Sequence, residues 1–314
     1  MSRPESLRLV FQSENVQMWG IFFAKIASLL SQELPSLKST TVRLTNEMFS
    51  TASAVADGRA DMGIVTPPAC VSMAYRGVGP YSRKMTNLRA IGSFPHDDRM
   101  MWAVPAGSGI DSIDQMKDKP MRIVLPGAQY PVRFLVERIL EGYGTSLAEL
   151  KRRGWRVIEE NHCLKIPLPV IRGEADAVVH EALPTPAWHE LAAKRDMKFL
   201  PIREDVLRML EDDYGFRRAV LSKGALRGIE EETPCVDFCE WLMFVSDDMP
   251  DDLAYRITRI FIEKKDAFET LFQGTLRTRD IMDFHIDPKQ VWRNVGEIPL
   301  HPAAKRYYQE HGHM

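Results

Sequence analysis

The chain has 314 residues, with 41 basic against 43 acidic side chains and a formal net charge of −2. Hydrophobic residues account for 45% of the chain and charged residues for 27%, which is typical of a folded globular protein large enough for two domains. The near-neutral balance argues against a protein that binds nucleic acid or anionic lipid. No apolar run approaches the roughly 20 residues of a membrane-spanning helix, so we expect no membrane insertion.

Strands and amphipathic helices alternate along the first third of the chain. The patterns predict strands at 7–11, 41–45, 61–65, 88–94 and 101–104, with helices at 16–33 and 50–58. Strands separated by helices in this way are typical of βαβ units, in which the strands form a parallel sheet.

A second series of elements begins after 105–109, Pro-Ala-Gly-Ser-Gly, which we interpret as a crossing between two lobes. Strands are predicted at 121–125, 175–179, 198–202, 216–221 and 235–245, and a long helix at 251–272. We expect one lobe to comprise residues 1–103 with 216–314, and the other residues 104–215. The predicted fold class is α/β, with two lobes that are each a mostly parallel sheet flanked by helices. Such sheets bind ligands beyond the carboxyl ends of their strands, so a cleft between the lobes is the expected site.

Two features of the sequence bear on its compartment. Residues 1–6 lack the basic start and apolar core of a secretory signal, so the chain as written is expected in the cytoplasm. The four cysteines lack the spacing of a disulfide framework or a zinc site, so we predict no metal site. They are Cys70, Cys163, Cys235 and Cys239.

Four segments, in order along the chain, resemble the TAXI-type solute-binding proteins of TRAP transporters. They lie at 54–65, 104–119, 172–186 and 298–312, and the first reads Ala-Val-Ala-Asp-Gly-Arg-Ala-Asp-Met-Gly-Ile-Val. The resemblance implies the type II periplasmic binding protein fold, no cofactor, no enzymatic reaction, and a small organic solute, a carboxylate, in the cleft. It also implies TRAP membrane subunits as partners if the chain is exported, and a periplasmic location if a leader was removed.

The chain departs from that family's pattern in three places. The loop 45–49 stands where the family has a glycine-rich loop, 127–130 stands where it has Gly-Ser-Gly, and Ala303 replaces a glycine near the end. Bulkier side chains leave less open backbone and reshape the pocket. The dicarboxylates and amino acids that the family binds therefore do not carry over directly.

The candidate ligand-binding residues follow strands, where helix N-termini can receive an anion, although every βα unit also has such a capping turn. They are Ser13, Asn15, Trp19, Thr45, Asn46, Thr66, Gln129, Tyr130, Arg133 and Glu181. Arg133 is expected to bind a carboxylate in a bidentate manner. Ordinary core packing is an equally good explanation for Trp19 and Tyr130. We expect Thr45, Asn46, Tyr130 and Glu181 to line one pocket.

A second hypothesis is a cytoplasmic, cofactor-free enzyme that acts on an organic acid as a decarboxylase, isomerase or hydratase. His180 and Glu181, at the end of a predicted strand, would be its acid–base pair. Neighbouring side chains of a strand face opposite sides, so at most one of the two enters the pocket unless the strand has ended. No nucleophile elbow, phosphate loop, dinucleotide fingerprint or zinc-protease motif occurs, which disfavours an enzyme that uses a cofactor.

Overall fold

The structure is a computed structural model that describes residues 6–12, 18–45, 47–95, 97–181, 185–271 and 285–314. The strands in these ranges are β1 (Ser6–Gln12), β2 (Ser39–Thr45), β3 (Met62–Val65), β4 (Leu88–Phe94), β5 (Arg99–Pro105), β6 (Arg122–Leu125), β7 (Arg156–Glu159), β8 (Ala177–His180), β9 (Met197–Phe199), β10 (Arg218–Leu221), β11 (Thr233–Asp237) and β12 (Trp241–Ser246). The α-helices in these ranges are α1 (Met18–Glu33), α2 (Ser50–Ala56), α3 (Ala69–Arg76), α4 (Ile113–Lys117), α5 (Pro131–Gly142), α6 (Leu147–Arg152), α7 (Leu168–Ile171), α8 (Pro186–Lys194), α9 (Glu204–Tyr214), α10 (Asp251–Glu263), α11 (Lys265–Glu269) and α12 (Pro302–Glu310).

The strands form two sheets flanked by helices, which confirms the predicted α/β fold class. The chain divides into two compact units, Met1–His96 with Cys239–Met314, and Asp97–Phe238. The boundaries expected at 103/104 and 215/216 differ from these, because β5, β10 and β11 form hydrogen bonds within the second sheet. The segment 105–109, interpreted as a crossing, therefore lies inside the second unit.

The first sheet has the strand order β2-β1-β3-β12-β4. β1 lies parallel to β2 and β3, while β12 is antiparallel to β3 and β4. The parallel arrangement expected from the sequence is thus found in β1, β2 and β3, while β12 and β4 add an antiparallel pair to the sheet. The carboxyl ends of β1, β2 and β3 meet at one edge of this sheet.

Aromatic side chains from several elements pack together beside the first sheet. The Phe94 ring on β4 lies 4.7 Å from that of Phe22, 4.3 Å from that of Phe261 and 5.1 Å from that of Phe268, centroid to centroid. All four side chains are buried. Edge-to-face contacts of this kind add to the free energy gained by burying the rings, so they hold α1, α10 and α11 against the sheet.

The second sheet has the strand order β10-β11-β5-β8-β6-β7, with β9 paired to β5. Here β6, β7 and β8 form the parallel core, and their carboxyl ends meet at one edge. β5 is antiparallel to β8 through Met101–Ala103, and it pairs with β9 through Ala103–Pro105. A cluster of buried apolar side chains, with Trp188 of α8 and Val178 of β8 among them, forms the core of this unit.

For two long elements, the extent predicted from the sequence is wrong. The strand expected at 235–245 is two strands, β11 and β12, which belong to different sheets. Glu240, between them, adopts a left-handed conformation with φ of 65°, which interrupts an extended strand. The helix expected at 251–272 breaks at Lys264 into α10 and α11. Within the ranges that the structure describes, no helix is both long enough and apolar enough to cross a membrane.

Tyr308 connects α12 to β4 through a buried hydrogen bond. Its hydroxyl donates to the carbonyl oxygen of Ile91 at 2.9 Å, and its side chain is fully buried. A Cβ atom at position 92 would lie 2.6 Å from this hydroxyl, so the glycine found there is what allows the approach.

We predict that Tyr308→Phe lowers the free energy of unfolding by about 1–2 kcal/mol, because it removes a buried hydrogen bond. Tyr255→Phe is the matched control, since the Tyr255 hydroxyl bonds Glu310 near the surface and its loss should cost less than about 0.5 kcal/mol. Urea unfolding followed by circular dichroism measures both values. Equal losses in the two variants would contradict the role given to the buried bond.

Candidate functional site

The carboxyl edge of the first sheet presents two buried threonines. Thr45 ends β2, directly opposite Gln12 at the end of β1, and Thr66 follows β3 on the other side of β1. Strands lie about 4.8 Å apart, so the two threonines flank an edge roughly 10 Å wide. The Thr45 hydroxyl accepts a hydrogen bond from the backbone N–H of Glu47 at 3.0 Å. The peptide bond between Thr66 and Pro67 is cis.

The structure tests only part of the prediction for this edge. Ser13, Asn15 and Asn46 lie outside the described residues, and so does the side chain of Trp19. The helix expected to receive an anion after Thr45 is α2, which has seven residues and begins at Ser50. These four residues stay predictions.

The loop from β6 to α5 forms part of the carboxyl edge of the second sheet. The Gly127 N–H donates to Asn161 Oδ1 at 2.8 Å, and the Tyr130 N–H donates to the Gly127 carbonyl at 3.2 Å. A Cβ atom at Gly127 would lie 2.6 Å from Gln129 Oε1, so a larger residue here would displace the Gln129 amide. Tyr130 is buried and precedes α5, whereas Gln129 is exposed. Gln129 is therefore the member of the pair with a solvent-exposed side chain, and a ligand-binding role for either residue stays a prediction.

Arg133 is buried and already has partners within the protein. Its guanidinium donates to Glu137 Oε1 at 3.1 Å, to Glu159 Oε1 at 3.4 Å and to the Pro126 carbonyl at 3.0 Å. Glu137 and Glu159 balance the charge of Arg133, and its contacts hold the β6–α5 loop against the end of β7. Its expected role in binding a ligand carboxylate stays a prediction.

Strand β7 and the residues that follow it were not predicted from the sequence. Glu159 ends this strand, Glu160 follows it, and Asn161 holds the neighbouring loop. Glu160 Oε1 accepts from the backbone N–H of His162 at 3.0 Å. The available signal was the short apolar pair Val157-Ile158 between charged residues, which is too brief to establish a period of two. The result is that this edge carries carboxylates that the sequence analysis did not place there.

His180 and Glu181 lie at the end of β8, on the same edge. Glu181 is partly buried, and its backbone carbonyl accepts from His180 Nδ1 at 2.9 Å and from Trp188 Nε1 at 3.0 Å. Since a carbonyl only accepts, His180 carries its proton on Nδ1. Its Nε2 atom is buried and has no hydrogen-bond partner among the described residues.

Burial determines the charge of His180. The side chain is fully buried, and desolvation of the imidazolium lowers its pKa to about 4, although the Glu181 carbonyl and Asp98 act in the opposite direction. A general acid or base is most effective when its pKa lies near the working pH. His180 is therefore a poor acid–base group at neutral pH, which weighs against the enzyme hypothesis.

The sequence profile of the NMT1-like family matches residues 19–312 of the chain. Similar solved structures include XAC2383 from Xanthomonas citri, solved with chloride ion and with ATP, at 12–13% identity and TM-scores of 0.56 and 0.55. These comparisons cover 98% of this chain and 96% and 95% of those chains.

Two further solved structures share the fold over nearly their whole length. PhnD1 from Prochlorococcus marinus in complex with methylphosphonate has 10% identity and a TM-score of 0.54, covering 99% of this chain and 100% of that one. A TctC solute-binding protein from Polaromonas has 12% identity and a TM-score of 0.50, covering 98% and 95%. The expected periplasmic-binding-protein-like fold is confirmed.

The finer expectations differ in their outcome. One of the similar structures is a TctC solute-binding protein, and the comparisons do not favour the cofactor-free enzyme. They confirm neither the TAXI subfamily nor the TRAP partners nor a carboxylate, and nothing in them supports a cytoplasmic location. The single pocket of Thr45, Asn46, Tyr130 and Glu181 stays a prediction, because Asn46 is not described and the others belong to two units.

We predict that His180 makes the stability of the protein depend on pH. The unfolded imidazole, with a pKa near 6.5, binds a proton before the folded one, whose pKa is about 4. The stabilisation is therefore complete above about pH 6.5 and is lost as the pH falls towards 4, by about 3 kcal/mol at 1.36 kcal/mol per unit.

Urea unfolding at pH 7.5 and at pH 4 measures this dependence. The free energy of unfolding of His180→Gln should fall by about 2–3 kcal/mol less than that of the unaltered protein between these two values. His189→Gln, at an exposed histidine of α8, is the control and should follow the unaltered protein. The same decrease in all three proteins would show that His180 does not contribute.

Proposed function

The chain belongs to the NMT1-like family, and from this premise we propose that it binds a small organic solute at the carboxyl ends of its parallel strands. The fold that it shares with a TctC solute-binding protein supports this proposal. So do the polar groups at the two edges, where Thr45 and Thr66 lie in the first unit and Gln129 and Glu181 in the second. Polar groups at such an edge orient a ligand while apolar side chains supply contact area.

The proposal for the class of solute depends on the charges at the carboxyl edge of the second sheet. Glu159, Glu160 and Glu181 follow the ends of β7 and β8, and the nearby cation Arg133 is already paired with Glu137 and Glu159. An anion placed here would be repelled by the carboxylates. We therefore propose a solute that presents an amine or a hydroxyl group to Glu181, since a hydrogen bond to a charged group stabilises a complex by about 1.5–3 kcal/mol.

A carboxylate, which the resemblance to TAXI-type proteins implies, is the second candidate. The observation in its favour is that the N-terminus of α5 lies at the carboxyl edge of the second sheet. The N-terminus of a helix favours an anion. Three of the similar structures hold anions, which are chloride and ATP in XAC2383 and methylphosphonate in PhnD1. The acidic edge of this chain limits that comparison, because a bound carboxylate would need to avoid Glu159 and Glu181.

The proposal includes a partner and a compartment. A receptor of this kind delivers its solute to the membrane subunits of a transporter, as the TAXI resemblance implies for TRAP systems. It would do so from the periplasm. The proposed partner and the proposed compartment both depend on solute binding, which is therefore tested first.

The test is a thermal-shift screen of small amines, amino alcohols, carboxylates and phosphonates, followed by calorimetry of the best solute. We expect an amine-bearing or hydroxyl-bearing solute to bind, and Glu181→Gln to weaken its binding at least tenfold, because the charge that receives the donor is lost. Glu190→Gln is the matched control, since Glu190 lies on α8 in the same unit and pairs with Lys194 at the surface.

Three outcomes separate the candidates. Loss of affinity in Glu181→Gln alone supports the amine or hydroxyl proposal. Binding of a carboxylate that Glu181→Gln strengthens would favour the second candidate, because it removes a repelling charge. If no solute in the panel raises the melting temperature or gives a binding isotherm, the solute-binding proposal is rejected.

A further inference from the structure

A cavity of about 340 Å³ lies in the second unit, beside the glycine-rich segment at 105–109. β5 pairs with β8 only from Met101 to Ala103, so Val104 and Pro105 have no partner on β8, while β9 pairs with β5 on its other side. The end of β5 and the start of β8 are therefore not hydrogen-bonded to each other. The cavity opens between them, with Val104 and Pro105 on one side and Asp176 and Ala177 on the other.

This cavity is separate from the carboxyl edge of the second sheet, where the solute is proposed to bind. It lies where β6 and β8 begin, whereas Glu181 follows the end of β8. The three residue steps from Ala177 to His180 span about 10 Å at 3.3 Å per step. Binding at one edge can therefore be measured without assuming binding at the other.

Most of the cavity wall is apolar. The side chains of Val104, Ile110, Met121 and Ala177 line it, together with two prolines. A volume of 340 Å³ accommodates about 11 non-hydrogen atoms at ~30 Å³ each, the share of one water molecule in the liquid. An alkyl chain close to octanoate in length fits these walls and this volume.

Lys119 and Asp176 are the charged residues of the lining, and only Lys119 lacks an ionic partner among the described residues. Asp176 is neutralised by Arg122, which donates to it from the backbone N at 2.8 Å, from Nε at 3.2 Å and from Nη2 at 2.7 Å. Lys119 has no carboxylate within ion-pair distance among the described residues. Its ammonium donates to the carbonyl oxygens of Ser108 at 3.1 Å and Gly109 at 3.2 Å. These carbonyls hold the ammonium at the rim of the cavity and leave one of its three N–H groups for a ligand.

We propose that this cavity binds a small aliphatic carboxylate, whose alkyl chain lies against the apolar wall and whose carboxylate accepts from the Lys119 ammonium. The apolar wall supplies contact area and the ammonium supplies a charge-assisted hydrogen bond. Neither the fold nor the proposed solute requires this second site.

Calorimetry with octanoate and with octan-1-ol, on the full chain, tests the proposal. We expect one octanoate to bind per chain, at least tenfold more tightly than the alcohol, which has a similar apolar tail and no charge. Lys119→Gln should remove this preference, because its amide still reaches a carbonyl but carries no charge. Lys151→Gln, at an exposed lysine of α6, should keep it.

Gly107→Trp provides an independent test that does not alter the lysine. Gly107 lines the cavity, and a Cβ atom there meets no heavy atom within 4 Å, so a large side chain is accommodated without a backbone clash. This variant should abolish binding of octanoate while the melting temperature stays within a few degrees of that of the unaltered protein. Equal binding of octanoate and octan-1-ol, or unchanged octanoate affinity in Lys119→Gln or Gly107→Trp, would overturn the proposal.

Discussion

Arg133 carries a permanent positive charge at a position where only 6% of its surface reaches solvent. A buried charge is costly unless ionised partners and hydrogen bonds compensate it. Glu137 supplies one partner from the next turn of α5, and Glu159 supplies another from the end of β7. The same guanidinium bonds the Pro126 carbonyl, so one buried charge determines how the β6–α5 loop lies against the neighbouring strand.

This charge balance determines what the carboxyl edge of the second sheet can recognise. Because Arg133 is already paired with Glu137 and Glu159, it does not balance the charges of Glu160 and Glu181 at this edge. Desolvation keeps His180 neutral at physiological pH, so it adds no positive charge to them. The cavity at the opposite edge has the positive charge of Lys119 instead. Asp176 is paired there with Arg122, and Lys119 has no carboxylate partner among the described residues. One sheet thus offers two edges of opposite charge.

The sequence was sufficient for the fold class and for the positions of most loops, because the apolar periods of 2 and 3.6 residues depend on local spacing. It could not show the partners of Arg133, since Glu159 is 26 residues away and belongs to a strand too short to predict. It joined β11 and β12 into one strand because nothing in the apolar run marks the left-handed conformation at Glu240. Pro105–Gly109 was read as a crossing from its composition alone, and only the hydrogen bonds of β5 place it inside the second unit.

The central claim is that the chain binds a small solute at the carboxyl ends of its parallel strands. Amide chemical shifts of the ¹⁵N-labelled protein, titrated with the solute that stabilises it most, test this claim directly. The account predicts that the largest shifts occur at residues that follow parallel strands, with Gln129 after β6 and Glu181 after β8 among them. Shifts confined to residues at the opposite edges of the sheets, or spread evenly over the surface, would contradict it.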